Sequence, residues 1–341
     1  MRKKAIAGST AALLALITIL LPASAQAIVG GVPATKTDAP WQAIVTAAGK
    51  LCGGVVISDK DIATAAHCVN EADASTINVR LGAATTEDLL RSPYLSVTAV
   101  TIHPNWQKGS GYYDIAILRL EKTIEEQPTI HRIDLPSAED GQTWAQGDSP
   151  ARVAGWGSTT GNPSSTSRNL NVADVNILRG ACTGYGLEFD QDLNMCAGIT
   201  GGGVDACQGD SGGALAAPTS GAKWTLAGLV SFGRECGSSD FPGVYVNVAS
   251  LMPWIEAAAP AVSVLNPPGS VAVLAIPRTA TVMWRAVPDA VAYEVTSWPG
   301  KAKCQTSAGT CTLKVTARTK QVMVVAIDSD GDRSAPVITS T

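Results

Sequence analysis

Charged side chains make up only 16% of the 341-residue sequence, and aromatic side chains only 5%. With 45% apolar residues, 33 Gly and 19 Pro, the chain has the composition of neither a disordered nor a fibrous protein. Basic residues are not in excess, because the formal net charge is −4 and becomes −7 without residues 1–27, so we expect no nucleic-acid partner. The composition and length favour a folded, turn-rich β protein of at least two domains.

Apolar segments long enough to cross a bilayer are also missing. The run at 11–21 is too short for this and no later run reaches the necessary length. It follows basic residues at 2–4 and precedes small residues at 23–27, the layout of a cleavable secretory signal. A short buried helix would not explain the basic flank. We therefore expect a signal peptide at 1–27 and a secreted, extracellular protein with no membrane contact after its removal.

The sequence has no CxxC pair, and none of its eight cysteines lies in residues 1–27. An even number of cysteines in an exported chain is typical of disulfides. Free thiols and cysteine-bound metal are the alternatives. We favour four disulfides among Cys52, Cys68, Cys182, Cys196, Cys207, Cys236, Cys304 and Cys311.

Short apolar runs separated by Gly, Pro, Asn and Asp continue from Ile28 to about Tyr245 and predict an all-β sandwich or barrel. Apolar residues at helical spacing over 251–258 predict one closing helix. A Pro- and Gly-containing segment follows, and then period-2 alternation that predicts a small β-sandwich. We expect a first domain at 28–259, a linker at 260–266 and a second domain at 267–341.

Three separated segments hold the residues that nucleophilic acyl transfer requires: His67 in TAAHC, Asp114 in DIAIL and Ser211 in GDSGG. Each alone has a structural interpretation, as a packed histidine, a strand cap or a loop. Together they supply a nucleophile, its base and the carboxylate that orients the base. The glycines let the N–H groups of Gly209 and Ser211 face a developing oxyanion. This chemistry needs no metal or cofactor, and we expect none.

Six motifs follow one another from Ile28 to about Ala259: IVGG at 28–31, TAAHC at 64–68, DIAIL at 114–118, AGWGST at 154–159, CQGDSGG at 207–213 and PGVY at 242–245. In these motifs and their order the chain resembles the chymotrypsin and trypsin family of serine endopeptidases. The resemblance implies two six-stranded antiparallel β-barrels with the active site between them, in an all-β fold that ends in a helix.

The family also implies an ion pair between the freed amino group of Ile28 and Asp210, which orders the substrate pocket and the oxyanion hole. Signal cleavage after Ala27 would free Ile28 directly, whereas cleavage after Ala25 would leave a dipeptide to be trimmed. The family resemblance also implies three disulfides. Other disulfides found in some animal members have no cysteines here, so the chain resembles bacterial members of the family. The implied pairs are Cys52–Cys68, Cys182–Cys196 and Cys207–Cys236.

Asp205 matches the family position at the floor of the pocket for the side chain before the scissile bond. A carboxylate there favours Arg or Lys. Gly233 and Gly243 match positions that admit a long side chain, and Ser231 matches a serine that supports the aspartate and the substrate backbone. Two departures are Phe232, where trypsins usually have Trp, and Ala206, which has no hydroxyl. We expect Arg to be preferred over Lys because guanidinium binds carboxylate bidentately.

Residues 267–341 resemble a fibronectin type III domain, with Trp284 and Tyr293 on its second and third strands. Cys304 and Cys311 suggest an added hairpin bridge. Such a module commonly acts as a spacer or a binding platform, for which a surface or a polymer is the expected partner. The enzyme is expected to be a monomer that acts on protein or peptide substrates. Two other readings are an inactive binding protein on the protease fold and an esterase. The complete triad argues against the first, and the acidic pocket floor argues against the second.

Overall fold

The computed structural model describes residues 28–158, 160, 166–178, 180–219, 223–259, 268–288, 290–298, 302–317, 319, 321–327, 334 and 336–341. The expected signal peptide at 1–27 and the expected linker at 260–266 lie outside the described residues. In the described part of the chain, no helix is both long enough and apolar enough to cross a membrane.

Six antiparallel strands close into a first barrel. Alternate side chains such as Ala43, Val45, Val79 and Leu81 point into it and are buried, because successive residues of a strand face opposite sides. The strands are β2 (Gln42–Ala47), β3 (Lys50–Val56), β4 (Asp61–Thr64), β5 (Asn78–Leu81), β6 (Leu95–Ile102) and β7 (Ala116–Leu120), after a short β1 (Val32–Pro33). Around the barrel they run in the order β2-β3-β4-β7-β6-β5, and β5 pairs back with β2.

A second barrel follows the same plan. Its strands are β8 (Ser149–Gly155), β9 (Asn171–Ile177), β10 (Asn194–Gly198), β11 (Ala214–Pro218), β12 (Trp224–Phe232) and β13 (Gly243–Asn247). They run in the order β9-β10-β13-β12-β11-β8, β8 pairs with β9 to close the ring, and β1 adds to the edge of β9. The prediction of two six-stranded antiparallel barrels is confirmed.

Among the described residues, four short α-helices connect or flank the strands: α1 (Ala66–Val69), α2 (Thr86–Arg91), α3 (Ala138–Trp144) and α4 (Met252–Ala258). The last, α4, is the predicted closing helix, and its Ile255 is buried. Three 3-10 segments lie at Ala74–Thr76, Ala181–Glu188 and Ala249–Leu251. Both α2 and α3 begin at capping boxes, in which a hydroxyl and a carboxylate satisfy free N–H groups of the first turn.

After residue 268 the chain forms two more antiparallel sheets. The strands are β14 (Gly269–Ile276), β15 (Thr279–Arg285), β16 (Ala292–Trp298), β17 (Lys303–Thr306), β18 (Thr310–Lys314), β19 (Gln321–Ile327) and β20 (Val337–Ser340). One sheet has the order β14-β15-β18 and the other β17-β16-β19-β20. Trp284 and Tyr293 pack together in the core between them, with ring centroids 5.1 Å apart.

The outer face of the four-stranded sheet is partly buried as well. Thr296, Met323 and Val325 point away from the core between the sheets, yet each is buried. Thr296 and Met323 line a cleft together with the loop 123–127, which follows β7 of the first barrel. This sheet therefore lies against the first barrel.

Four disulfides are present, and they are the pairs that the sequence analysis expects. All eight cysteines are used, so none is free. The pairs are Cys52–Cys68, Cys182–Cys196, Cys207–Cys236 and Cys304–Cys311.

Candidate active site

The structure brings His67, from α1, against Asp114, which lies just ahead of β7. Only 2% of Asp114 is exposed. Its Oδ1 accepts a hydrogen bond from the backbone N–H of His67 at 2.9 Å, and its Oδ2 lies 2.7 Å from His67 Nδ1. Because Nδ1 faces the carboxylate, a proton there leaves Nε2 available as a base.

Ser231 supplies a third hydrogen-bond donor to the same carboxylate. Its hydroxyl donates to Asp114 Oδ2 at 2.6 Å, and its side chain is buried. The expected support of Asp114 by Ser231 is therefore seen as a direct contact. A carboxylate held by three donors stays in one orientation and fixes the imidazole.

Tyr113, next to Asp114, adopts an unusual backbone conformation with φ at +56°. Its carbonyl accepts a hydrogen bond from Ile115 N–H at 2.7 Å, which closes a tight turn around Asp114. The Tyr113 ring stacks on His103 with centroids 4.5 Å apart, and His103 also packs against Trp254 of α4. This packing holds the turn that directs Asp114 towards His67, and sequence reasoning did not find it.

Ser211 lies at the junction of the two barrels. Its carbonyl accepts a hydrogen bond from Gly53 N–H of β3 at 2.8 Å, and the sulfur of Cys68 lies 3.7 Å from the same oxygen. Within the described residues no hydrogen bond joins Ser211 Oγ to His67. Bonds of this kind are often long in resting enzymes and shorten when substrate binds.

The backbone at Gly209, where the sequence analysis expects an oxyanion hole, has an unusual conformation. Gly209 has φ at +99°, a conformation that residues with a Cβ rarely adopt. The N–H groups of Gly209 and Ser211 donate to no described residue, unlike that of Gly212, which bonds Val230 O at 2.7 Å. Two adjacent N–H groups without a protein acceptor can stabilise a developing negative charge.

A narrow cleft runs from Ser211 to Asp205, and both Gly233 and Gly243 line it. Only 3% of Asp205 is exposed. Its Oδ2 accepts from Gly237 N–H at 3.1 Å, while Oδ1 has no hydrogen-bond partner among the described residues. A Cβ at Gly243 would lie 2.5 Å from Oδ1, so only glycine leaves the carboxylate accessible. Burial raises the pKa of Asp205 to about 7.

Tyr245 also lines this cleft, and sequence reasoning did not assign it a role. Its hydroxyl is buried without a partner, and burial raises its pKa well above the usual value. The available signal was its position as the last residue of the PGVY motif. The closed end of the cleft thus holds a carboxylate oxygen and a hydroxyl that can both accept hydrogen bonds from a cationic side chain.

Ile28 and Asp210 are both fully buried in the second barrel. The carboxylate of Asp210 accepts hydrogen bonds from Gly157 N–H at 2.7 Å and from Cys207 N–H at 2.9 Å. Within the described chain it has no cationic side chain as a partner, and burial raises its pKa to about 7. Val29 and Asp205 exchange two backbone hydrogen bonds, which fixes the segment after Ile28 beside the cleft.

A wider cavity of ≈ 570 Å³ opens beside His67 and is lined by Tyr112, Leu187 and Phe232. The Tyr112 hydroxyl donates to the backbone carbonyl of Leu187. This cavity shares Ser231 and Phe232 with the Asp205 cleft, so the cavity and the cleft form one continuous surface. In the described residues, one cluster has the spacing of metal ligands, His67 with Cys52 and Cys68, but both sulfurs are in a disulfide.

Comparison with known proteins agrees with this geometry. The family model described as Trypsin matches residues 28–255. Trypsin iota of Drosophila melanogaster is 36% identical over 241 residues, which cover 69% of this chain and 89% of that protein. Vitamin K-dependent protein C of Mus musculus is 35% identical over 240 residues, 67% of this chain and 51% of that protein. The chain therefore belongs to the trypsin family and is a serine endopeptidase.

Proposed function

We propose that the protein is a secreted endopeptidase that cleaves after Arg and Lys, with His67, Asp114 and Ser211 as its catalytic residues. The observation that carries the proposal is the unpaired Oδ1 of Asp205 at the closed end of the cleft that starts at Ser211. A guanidinium or ammonium group satisfies this oxygen, whereas an apolar side chain leaves a buried polar group unpaired.

In the proposed mechanism, Ser211 Oγ attacks the substrate carbonyl as His67 Nε2 takes its proton. Asp114 stabilises the imidazolium, and the N–H groups of Gly209 and Ser211 donate to the oxyanion. The imidazolium then protonates the leaving amine. Water repeats the sequence on the acyl-enzyme, with His67 again as the base.

Arg is the preferred residue before the scissile bond in this proposal. Ala206 beside Asp205 offers no hydroxyl to an ammonium, while a guanidinium reaches a carboxylate through two N–H groups. Comparison of kcat/KM for Arg, Lys and Phe chromogenic substrates tests the preference for Arg over Lys and the specificity for basic residues. Asp205→Ser should remove the basic preference and keep the triad. An equal or reversed Arg to Lys ratio contradicts the preference, and efficient Phe cleavage contradicts the proposed specificity.

Maturation is proposed to free the amino group of Ile28, which then pairs with Asp210. Two observations support this: Ile28 is fully buried in the same core, and its φ of +61° is rarely adopted by a β-branched residue. The φ torsion of Ile28 is defined through the preceding carbonyl carbon, so it no longer exists once Ile28 is the first residue. N-terminal sequencing of freshly secreted protein from a strain without extracellular proteases should find Ile28. A stable inactive form that begins at Gln26 would refute direct activation by the signal peptidase.

The proposed organisation is a signal peptide at 1–27, a protease domain at 28–259, a linker at 260–266 and a fibronectin type III-like domain at 267–341. The two sheets of three and four strands around Trp284 and Tyr293 support the last assignment. Three disulfides within 28–259 support the bacterial type. We propose a monomer whose C-terminal domain binds a surface or a polymer and keeps the protease near its substrate.

A further inference from the structure

A cavity of ≈ 380 Å³ on the first barrel has no role in the mechanism above. The described residues that line it include Thr46, Leu51, Arg80, Tyr94, Trp156 and Thr166. Thr46, Leu51 and Arg80 lie on the outer face of β2, β3 and β5, opposite the face that fills the barrel. The cavity is therefore a surface groove with an apolar floor.

Strand pairing connects this groove to Ser211. Arg80 of β5 pairs with Ile44 of β2, Ile44 pairs with Gly53 of β3, and Gly53 N–H donates to Ser211 O at 2.8 Å. Two strand spacings amount to about 10 Å, and an extended peptide advances about 3.3 Å per residue. Counted from the scissile bond, the second to fourth substrate residues on the β3 side of Ser211 are thus within reach of Arg80.

The groove lies on the leaving-group side of the site. The Asp205 cleft and the cavity at Tyr112 share Ser231 and Phe232, so the part of the substrate before the scissile bond occupies that side. The groove instead adjoins the loop that carries Gly209. Thr166 lines the groove, and a Cβ at Gly209 would lie 3.4 Å from Thr166 Cγ2. The segment after the scissile bond therefore leaves the site towards Arg80.

Charge decides which residue this groove prefers. The Arg80 guanidinium lies 3.7 Å above the centre of the Tyr94 ring, and its Nε is buried without a partner. Among the described residues, no carboxylate forms an ion pair with Arg80, and no Asp or Glu lines the groove. In a protein of negative net charge, this groove is a local positive site.

We propose that the groove is a specificity subsite that selects substrates with Asp or Glu two to four residues after the scissile bond. The inference rests on the proposed function, because it concerns the same substrate chain. The carboxylate pairs with the guanidinium of Arg80 above the apolar floor, where Tyr94 already holds that guanidinium in one orientation.

The test uses fluorescence-quenched peptides with a single Arg, no Lys, and Glu or Gln at the second, third or fourth position after the Arg. For the unmodified enzyme we expect kcat/KM to be about three- to fivefold higher with Glu than with Gln at one or more of these positions. The ratio should fall as salt is raised, since exposed charges are screened. Arg80→Glu should reverse the order, and the exposed Arg285→Gln should leave it as in the unmodified enzyme.

Equal kcat/KM for Glu and Gln at all three positions in the unmodified enzyme would overturn the proposal. A Glu preference that persists in Arg80→Glu would do the same. If that variant does not fold, Arg80→Gln and the salt series on the unmodified enzyme decide the question. An Arg p-nitroanilide has no amino-acid residue after the scissile bond, so its hydrolysis tests the proposed function without the subsite. If the enzyme hydrolyses it but shows no Glu preference on the peptides, only the subsite is refuted. If the enzyme does not hydrolyse it, the proposed function is refuted.

Discussion

Single residues around Asp114 show how much of the proposed catalysis depends on hydrogen bonds to one buried carboxylate. Ser231→Ala removes the 2.6 Å bond to Asp114 Oδ2 and leaves the two bonds from His67. Hydrogen bonds to charged groups contribute about 1.5–3 kcal/mol, so we expect kcat/KM for an Arg substrate to fall about ten- to hundredfold. The exposed Ser250→Ala serves as the control. Unchanged activity of Ser231→Ala would show that two bonds already fix Asp114.

The burial of Asp205 predicts that the affinity for a cationic ligand depends on pH. Burial raises the pKa of this carboxyl to about 7, so in the absence of ligand it takes up a proton as pH falls below that value. A cationic ligand binds the ionised form. The affinity for benzamidine should therefore weaken as pH falls from about 7.5 to about 5.5, by up to about tenfold per unit below the pKa.

Calorimetric titration of Ser211→Ala with benzamidine measures this effect without turnover. The double variant Ser211→Ala, Asp205→Ser should bind weakly at every pH. Affinity that does not change with pH would mean that Asp205 is not the group that binds the cation.

Among the short elements, α3 offers a clear test of local stability. Ser137 is its N-cap, and its hydroxyl accepts from Asp140 N–H at 3.2 Å, while Asp140 Oδ2 accepts from Ser137 N–H at 2.9 Å. Ser137→Ala should lower the free energy of unfolding by about 1 kcal/mol, and Ser137→Gly by only a few tenths of that. Urea unfolding in the Ser211→Ala background avoids self-digestion. Equal midpoints for the three proteins would show that the cap contributes nothing.

Elements with strong periodicity were predicted from the sequence, and elements defined by local chemistry were missed. The predicted short apolar runs include residues 42–46 and 225–232, which form β2 and β12, and the helix predicted over 251–258 is α4. Both capped helices, α2 and α3, were overlooked, although their capping boxes can be read from the sequence.

The same division holds for the site. Motifs identified the residues that contact each other in the structure, His67 with Asp114 and Asp114 with Ser231. The turn at Tyr113 and the groove at Arg80 could not be predicted, because each depends on contacts between residues far apart in the chain. Arg80 gains its relation to Ser211 only through the pairing of three strands.

At the scale of the whole molecule, the C-terminal sheets predict separable roles. Deletion of residues 262–341 leaves every residue of the proposed catalytic and Asp205 sites in place, so hydrolysis of a small Arg substrate should be largely retained. Activity on a surface-bound or polymeric protein substrate should fall, because the proposed binding domain is lost. A parallel loss of both activities would instead give these sheets a structural role, which the burial of Thr296 and Met323 beside the loop 123–127 would explain.

The central claim is that Ser211 cleaves polypeptides after basic residues selected by Asp205. Digestion of a complex protein mixture, followed by mass-spectrometric identification of every new terminus, measures this over thousands of bonds at once. We expect nearly all new C-termini to be Arg or Lys, with Arg in excess of its natural frequency, and none to be produced by Ser211→Ala. Cleavage mainly after apolar residues, or cleavage of equal extent by Ser211→Ala, would contradict the account.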